Sequence, residues 1–239
     1  MDRQYYDLHI HSCLSPCGDD DMTPNNIVNM AMINGLSVIG LTDHNSCGNC
    51  AAAMEVGKEA GVIVVPGMEL TTAEEIHVVC LFPDLEAAQA FSAYVHDHLP
   101  PIQNRKDIYG NQLFRNASDE VTGEEDLLLI LATDIGIYDV PALVEEFGGI
   151  AILAHIDRHS NGVLGILGEI DPLMGFRKAE VSRAADPDYY KERYDFLSFV
   201  SDSDAHNLWT IAEPGEANFF TEPVQEAADV IRFLRNGEI

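Results

Sequence analysis

The chain has 239 residues, 46% of them hydrophobic, and its 40 acidic against 13 basic residues give a formal charge of −27. That length is near the upper limit for a single core, so one α/β domain over 1–239, with a small insertion, is expected. No run reaches the roughly 20 apolar residues of a membrane helix, the N-terminus lacks a signal-peptide pattern, and the acidic field repels phosphate backbones; a cytoplasmic protein is expected, with no membrane partner and with polymeric nucleic acid disfavoured.

Short β-branched and apolar runs alternate with helical patterns from the first residues onward, the signature of βαβ units and a parallel sheet. Strands are predicted over 5–11, 36–42, 62–66, 76–82, 149–154, 178–182 and 198–202. Their number suggests a barrel. Helices are predicted to open at Thr23-Pro24, to run over 49–60 up to Gly61, and to span 85–98, 124–131, 139–147, 187–196 and 223–236. The segment Leu99–Asp119 breaks the alternation with Pro100-Pro101, the basic pair Arg105-Lys106, and Gly110-Asn111. It reads as a loop or small insertion over the sheet. The five cysteines are an odd number and predict no disulfide framework. Cys47 and Cys50 have C-x-x-C spacing, but a four-cysteine zinc site needs a second such pair, so they read as small loop residues.

Most of the nine histidines fall at or just beyond the ends of predicted strands. His9 and His11, two apart on an extended segment, project to one side and can grip one ion. His44 ends the second strand in Thr42-Asp43-His44-Asn45, Glu69 follows the third in Gly67-Met68-Glu69, and His77 lies in the fourth. His155 closes the fifth, and Asp204 and His206 follow the last. In parallel α/β folds the carboxyl ends of strands share one rim, so these residues should converge. Buried without partners, so many imidazoles and carboxylates would be costly, and divalent ions would remove that cost.

The blocks Asp7-Leu8-His9-Ile10-His11-Ser12, Thr42-Asp43-His44-Asn45, Gly67-Met68-Glu69, Ala154-His155 and Ser203-Asp204-Ala205-His206 resemble those of the polymerase and histidinol phosphatase (PHP) family, in order from residue 7 to about 206. The resemblance implies a distorted seven-stranded (β/α) barrel holding up to three divalent ions. By position, His9, His11, Glu69 and Asp204 would hold the first, and Glu69 would bridge to a second held by His77 and His155. His44, His206 and an acid from the loop after His11 would hold the third. That loop is lengthened here, Leu14 to Pro24, and offers Asp19, Asp20 and Asp21. Asp21, three residues before the helix-opening Pro24, is chosen, with Asp19 as the fallback.

Mixed nitrogen and oxygen ligation suits Zn, Mn or Fe better than Mg or Ca. Two or three such ions would acidify a bridging water to hydroxide and neutralise the oxygens of a phosphoryl group, with no side-chain nucleophile required. Ser12 and Asp43, beside the ligands, are expected to hydrogen-bond and orient them. Arg158 occupies the place of a phosphate-binding arginine in the resembling phosphatases, although Ile156 replaces the proline of their block. Arg183 is a second candidate, Arg105 with Lys106 a third, and His159 a candidate general acid. The expected activity is hydrolysis of a small phosphomonoester or phosphodiester: a sugar phosphate, an amino-alcohol phosphate such as histidinol phosphate, or a mononucleotide. The alternatives are a 3'-to-5' exonuclease on short oligonucleotides, which would need a basic and aromatic groove, and a metal-binding regulatory module without turnover.

Overall fold

The computed structural model describes residues 3–216 and 218–236. β1 (Gln4–Ile10), β2 (Leu36–Leu41) and β3 (Ile63–Thr71) pair in parallel, with helices α1 (Pro24–Ile33) and α2 (Cys50–Ala60) between them. α1 starts where Thr23 accepts a hydrogen bond from the Asn26 amide, with Pro24 in its first turn. α2 stops at Gly61, whose φ of 75° is the left-handed cap that glycine adopts without strain. β4 (His77–Leu81) then pairs antiparallel with β3 and with β7 (Ile150–Leu153). The expected all-parallel order is thus broken, because residues 72–76 are too few for a crossover helix and permit only a reversal.

After α3 (Leu85–Asp97) comes α4 (Lys106–Tyr109) and a hairpin of β5 (Leu113–Arg115) and β6 (Val121–Glu124), before α5 (Val140–Glu146) resumes the main layer. The helix expected over 124–131 does not form. Gln112 accounts for this: its Nε2 donates to the carbonyls of Glu125 and Leu127 and its Oε1 accepts from the Leu129 amide, so those backbone groups are satisfied in extended form. The elaboration therefore continues past Asp119. Asp119 itself accepts from Thr23 Oγ1 at 2.7 Å and from the Asn25 amide at 3.1 Å, tying this segment to the start of α1.

β7 is followed by α6 (Val163–Leu167), β8 (Lys178–Glu180), α7 (Pro187–Arg193) and β9 (Ser198–Val200). β10 (Asn218–Phe220), too short to show a pattern in sequence, adds antiparallel to β1, and α8 (Ala227–Asn236) ends the described chain. The strand order is β10-β1-β2-β3-β4-β7-β8-β9 in one eight-stranded sheet. A bridge between Ile10 and Ala205, with the His11 amide donating to the Ala205 carbonyl at 2.9 Å, nearly closes it into a barrel.

Alternate strand residues serve two cores. Ile39, Val64, Val78 and Leu153 pack with Ile27 and Val28 of α1, Ala53 of α2 and Phe91 of α3. Their neighbours Val38, Val65, Val79 and Ile152 pack with Val230, Ile231 and Leu234 of α8. Each such fully buried aliphatic side chain contributes roughly 1.5–3 kcal/mol. No helix of the described residues is long and apolar enough to cross a membrane.

Candidate metal centre

Backbone pairing beyond the strand ends builds the site. The β2–β3 ladder continues past Leu41: the Glu69 amide donates to the Asp43 carbonyl and the Asn45 amide to the Glu69 carbonyl, both at 3.0 Å. This sets His44 beside Glu69, with Nδ1 3.0 Å from Oε2. Because β4 runs antiparallel, its first residue lies at the rim: His77 pairs with Thr71, and its Nδ1 is 2.9 Å from Glu69 Oε1. The His77 carbonyl accepts from the Ala154 amide, which brings His155 alongside, Nε2 3.0 Å from the same oxygen. The bridge from Ile10 to Ala205 places Asp204 between the first two histidines, its Oδ1 3.1 Å from His11 Nε2 and 3.4 Å from His9 Nε2.

Glu69 is the centre of this arrangement. Its Oε1 faces His9, His77 and His155; its Oε2 faces His11 and His44. Three sets of donor atoms lie within 4.8 Å of one another: His9, His11, Glu69 and Asp204; His44, Glu69 and His77; and His11, His44 and His206. Four buried atoms here, His44 Nδ1, Glu69 Oε2, His155 Nδ1 and Asp204 Oδ1, have no hydrogen-bond partner among the described residues. An orphaned polar atom at this depth costs about 1–3 kcal/mol; His44 Nδ1, Glu69 Oε2 and Asp204 Oδ1 lie among the donor sets, where divalent cations would satisfy them, whereas His155 Nδ1 is the ring nitrogen not facing Glu69. Three residues of the site have left-handed backbone, Asn45 at φ 48°, His155 at 27° and Asp204 at 50°. Such conformations cost of order 1–3 kcal/mol and cluster where function requires them.

The electrostatics agree. Burial would push the Glu69 carboxyl up, but His77, His9 and His44 outweigh it and hold it well below the usual range. Burial opposes protonation of His9, yet the carboxylates of Glu180, Asp204 and Glu69 raise it well above an ordinary histidine. His11 moves the other way, lowered by burial and by neighbouring His206. Such a set pairs each charge only by crowding.

Around these groups lies a buried support. Asp43 accepts from the Ser12 amide and hydroxyl and from the Ser15 hydroxyl, and Ser15 Oγ is in turn 3.0 Å from His11 Nδ1. Ser12 therefore touches Asp43, and Ser15 is what reaches the imidazole. Glu180, unread in the sequence, lies 2.7 Å from His9 Nδ1 through Oε2 and accepts from the His155 amide at 3.3 Å through Oε1. An acid ending a fully buried strand was its only signal.

The loop after His11 departs from expectation. Asp19, Asp20 and Asp21 are exposed and join none of the donor sets. Asp20 is held by Asn111, and Asp21 contributes its carbonyl to the Asn26 side chain. Turns fixed by the Ser15 and Gly18 amides point these side chains outward. Cys17, also exposed and outside the three donor sets, has the rings of His44 and His206 as neighbours; partial desolvation pushes its thiol up, but these imidazoles bring it down to about 6.

Among the residues expected to handle phosphate, Arg158 reaches the cluster, its Nη1 2.5 Å from Asp204 Oδ2. Arg183 does not: it is engaged by the Thr210 carbonyl and Glu216 and lies 3.9 Å from Asp7. His159 is exposed and outside every donor set. Arg105 and Lys106 are paired with Asp107 and Glu124 within their own segment. Cys47 and Cys50 are buried and both direct their thiols to the Gly67 carbonyl.

The sequence matches the PHP domain family over residues 7–198. The chain belongs to the PHP domain family. Members of this family are hydrolases acting on phosphoesters, and a cluster of His, Glu and Asp for metal is present here. A 5'-3' exoribonuclease of Haemophilus influenzae is 35% identical over 79 residues, 32% of this chain and 28% of that protein. A structure of endonuclease Q with a 27-mer duplex bearing an abasic lesion at its active site superposes with a TM-score of 0.72 at 16% identity, over 98% of this chain and 57% of that one. A Bifidobacterium adolescentis protein described as a metal-dependent phosphoesterase gives a TM-score of 0.58 at 18% identity, over 99% of this chain and 97% of that one. The chain thus spans about a quarter of the exoribonuclease and rather more than half of the endonuclease.

These comparisons overturn the expectation that polymeric nucleic acid is a disfavoured partner, because this fold carries a DNA duplex in endonuclease Q. Net charge governs the long-range field, whereas contact is decided by the groups at the site.

Proposed function

We propose that this PHP domain is a phosphoric ester hydrolase working with two or three divalent ions of the Zn, Mn or Fe type, and that its substrates are phosphoesters of the nucleotide or oligonucleotide class. The observation that carries the proposal is Glu69, whose two oxygens face separate groups of imidazoles, the arrangement expected of a carboxylate shared between ions. His9, His11, Glu69 and Asp204 would hold one ion, Glu69 with His77 and His155 a second, and His44 with His206 part of a third. When bound, such ions activate water and neutralise charge on a phosphoryl group.

The chain's own groups do the rest. Glu180 fixes the ring of His9, Ser15 that of His11, and the left-handed backbone at Asp204 turns its carboxylate inward. Arg158, half-exposed at the rim and paired with Asp204, is positioned to exchange part of that pairing for a substrate phosphate, which a guanidinium can grip through two donors. A regulatory module without turnover would have its arginines turned away, and Arg158 is turned in. The nucleotide class is supported by what the exoribonuclease and endonuclease Q are named for.

The test is metal analysis of the purified chain, followed by a panel of a mononucleotide, a sugar phosphate, a 5'-phosphorylated RNA oligonucleotide and an abasic duplex, each with and without chelator. Chelator-sensitive release from nucleotide-class substrates is expected. Release from the sugar phosphate alone would overturn the substrate class; absence of both bound metal and chelator-sensitive release would overturn the whole reading.

A further inference from the structure

The third donor set has two imidazoles facing one thiol. His44 and His206 both have the side chain of Cys17 as a neighbour, and the same two rings belong to the donor set that His11 completes, a set Cys17 itself does not enter. His44 is buried, with its Nδ1 turned to Glu69 Oε2 at 3.0 Å.

Cys17 is held there by its loop. The Ser15 amide donates to the Ser12 carbonyl and the Gly18 amide to the Ser15 carbonyl, making consecutive tight turns. A Cβ on Gly18 would lie 2.6 Å from the Ser12 carbonyl oxygen, so only glycine allows the chain to pass this close. The Asp19 amide then donates to the carbonyl of His206 at 2.9 Å, pinning the loop to the segment that carries the second imidazole. Cys17 lies between the turns and this anchor. The three acids that follow point to solvent.

The other four cysteines are differently placed. Cys13 donates to the Leu113 carbonyl, Cys47 to that of Gly67, Cys50 to those of Leu41 and Gly67, and Cys80 to that of Val78. Each is a buried thiol satisfied by backbone. Cys17 is set apart among them by two imidazoles as neighbours and by access to solvent.

We infer that Cys17 is a metal ligand, supplying a sulfur donor that with His44 and His206 completes the third ion site in place of a loop carboxylate. This rests on the metal-centre reading above. Its chemical consequence is selectivity. A sulfur and two imidazole nitrogens form a softer set than the nitrogen and oxygen donors around Glu69, favouring Zn, Co or Fe and disfavouring Mn and Mg at this position. One cluster would then contain two kinds of site, and the third ion would resist exchange by hard cations.

Cobalt(II) is the probe, because cobalt bound to sulfur absorbs in the near ultraviolet by charge transfer, while cobalt on nitrogen and oxygen shows only weak visible bands. The chelator-stripped full chain, kept under reducing conditions without oxygen, is titrated with cobalt(II), and absorption and bound cobalt per chain are recorded. The expected result is near-ultraviolet charge transfer in the wild type. Cys17→Ser should lose that band and bind one ion fewer, keeping the visible bands of the remaining ions. Cys17→Asp should recover the lost ion without the band. Because Cys17 is exposed in a loop, both variants should fold, which circular dichroism checks; X-ray absorption of the cobalt-loaded wild type reads sulfur ligation without any variant. Cobalt uptake without charge transfer, or a band that persists in Cys17→Ser, would overturn the ligand and leave the metal centre standing. Failure of the wild type to take up cobalt, zinc or iron would overturn the metal centre itself and this inference with it.

Discussion

Glu180 Oε2 lies 2.7 Å from Nδ1 of His9, on the side of the imidazole opposite Glu69 and Asp204. This contact fixes which nitrogen of His9 is free to bind and in what direction. Partners of this kind typically account for 10–100-fold in metal affinity or activity. Glu180→Gln should therefore weaken metal retention by about that factor, read by competition with a calibrated chelator, while thermal stability of the metal-loaded protein falls only modestly. Unchanged affinity would show that the barrel wall alone orients the ring.

Removing the central carboxylate should act on several ions together. Glu69→Gln is expected to lower bound metal by more than one ion per chain and to abolish turnover, because its two oxygens face different imidazoles. His9→Ala and Asp204→Ala should also abolish turnover with the circular dichroism spectrum preserved. Elemental analysis of each variant separates the cases, and wild-type activity in any of them would contradict the ligand assignment.

Arg158→Ala should raise KM at least several-fold with a smaller effect on kcat, because its guanidinium stands at the rim against Asp204. Arg183→Ala should leave both constants close to wild type, since that side chain is engaged by Thr210 and Glu216. Steady-state kinetics on the best substrate of the panel would distinguish the two. Equal effects would show that Arg183 leaves its partners when substrate binds.

Lys178 tests the barrel away from the metals. It is buried with Ser198 Oγ as the only hydrogen-bond partner of its ammonium among the described residues, and burial brings its pKa from 10.5 down to about 8. At neutral pH it is charged in both the folded and unfolded chain, so the folded state carries the full cost of desolvation. As pH rises from about 8 towards 10.5, the folded chain releases this proton first, and stability rises. Lys178→Met should accordingly stabilise the protein at pH 7 by roughly 1–3 kcal/mol. That advantage should shrink by pH 10. Urea unfolding of both proteins at the two pH values checks it, and a constant difference would assign the effect to packing.

The donors were legible in the sequence because metal-binding side chains are chemically distinctive and stood at strand ends that hydrophobic patterning located well. β1 and β2 begin and end within a residue of their predicted bounds, whereas β3, expected over 62–66, runs on to Thr71, so that Glu69 lies inside the strand and not after it; His9, His11, His44 and Glu69 could still be placed at one rim from local information. His77 was read correctly as a strand residue, but its presence at that rim depends on the reversal of β4, a property of the connection over 72–76. Glu180, Ser15 and the hold of Asp43 on both serines depend on contacts between segments that periodicity does not relate. The loop after His11 shows the division most clearly. By composition, its three aspartates outrank a cysteine as ligands for a mixed nitrogen and oxygen cluster. Backbone hydrogen bonds to Ser12, Ser15 and His206 decide which side chain turns inward, and these turn Cys17 to the imidazoles and leave the acids in water. The sequence by itself determined which chemistry could assemble at the rim; tertiary structure decided which atoms meet, because a ligand's direction is set by backbone pairing that only the folded chain possesses.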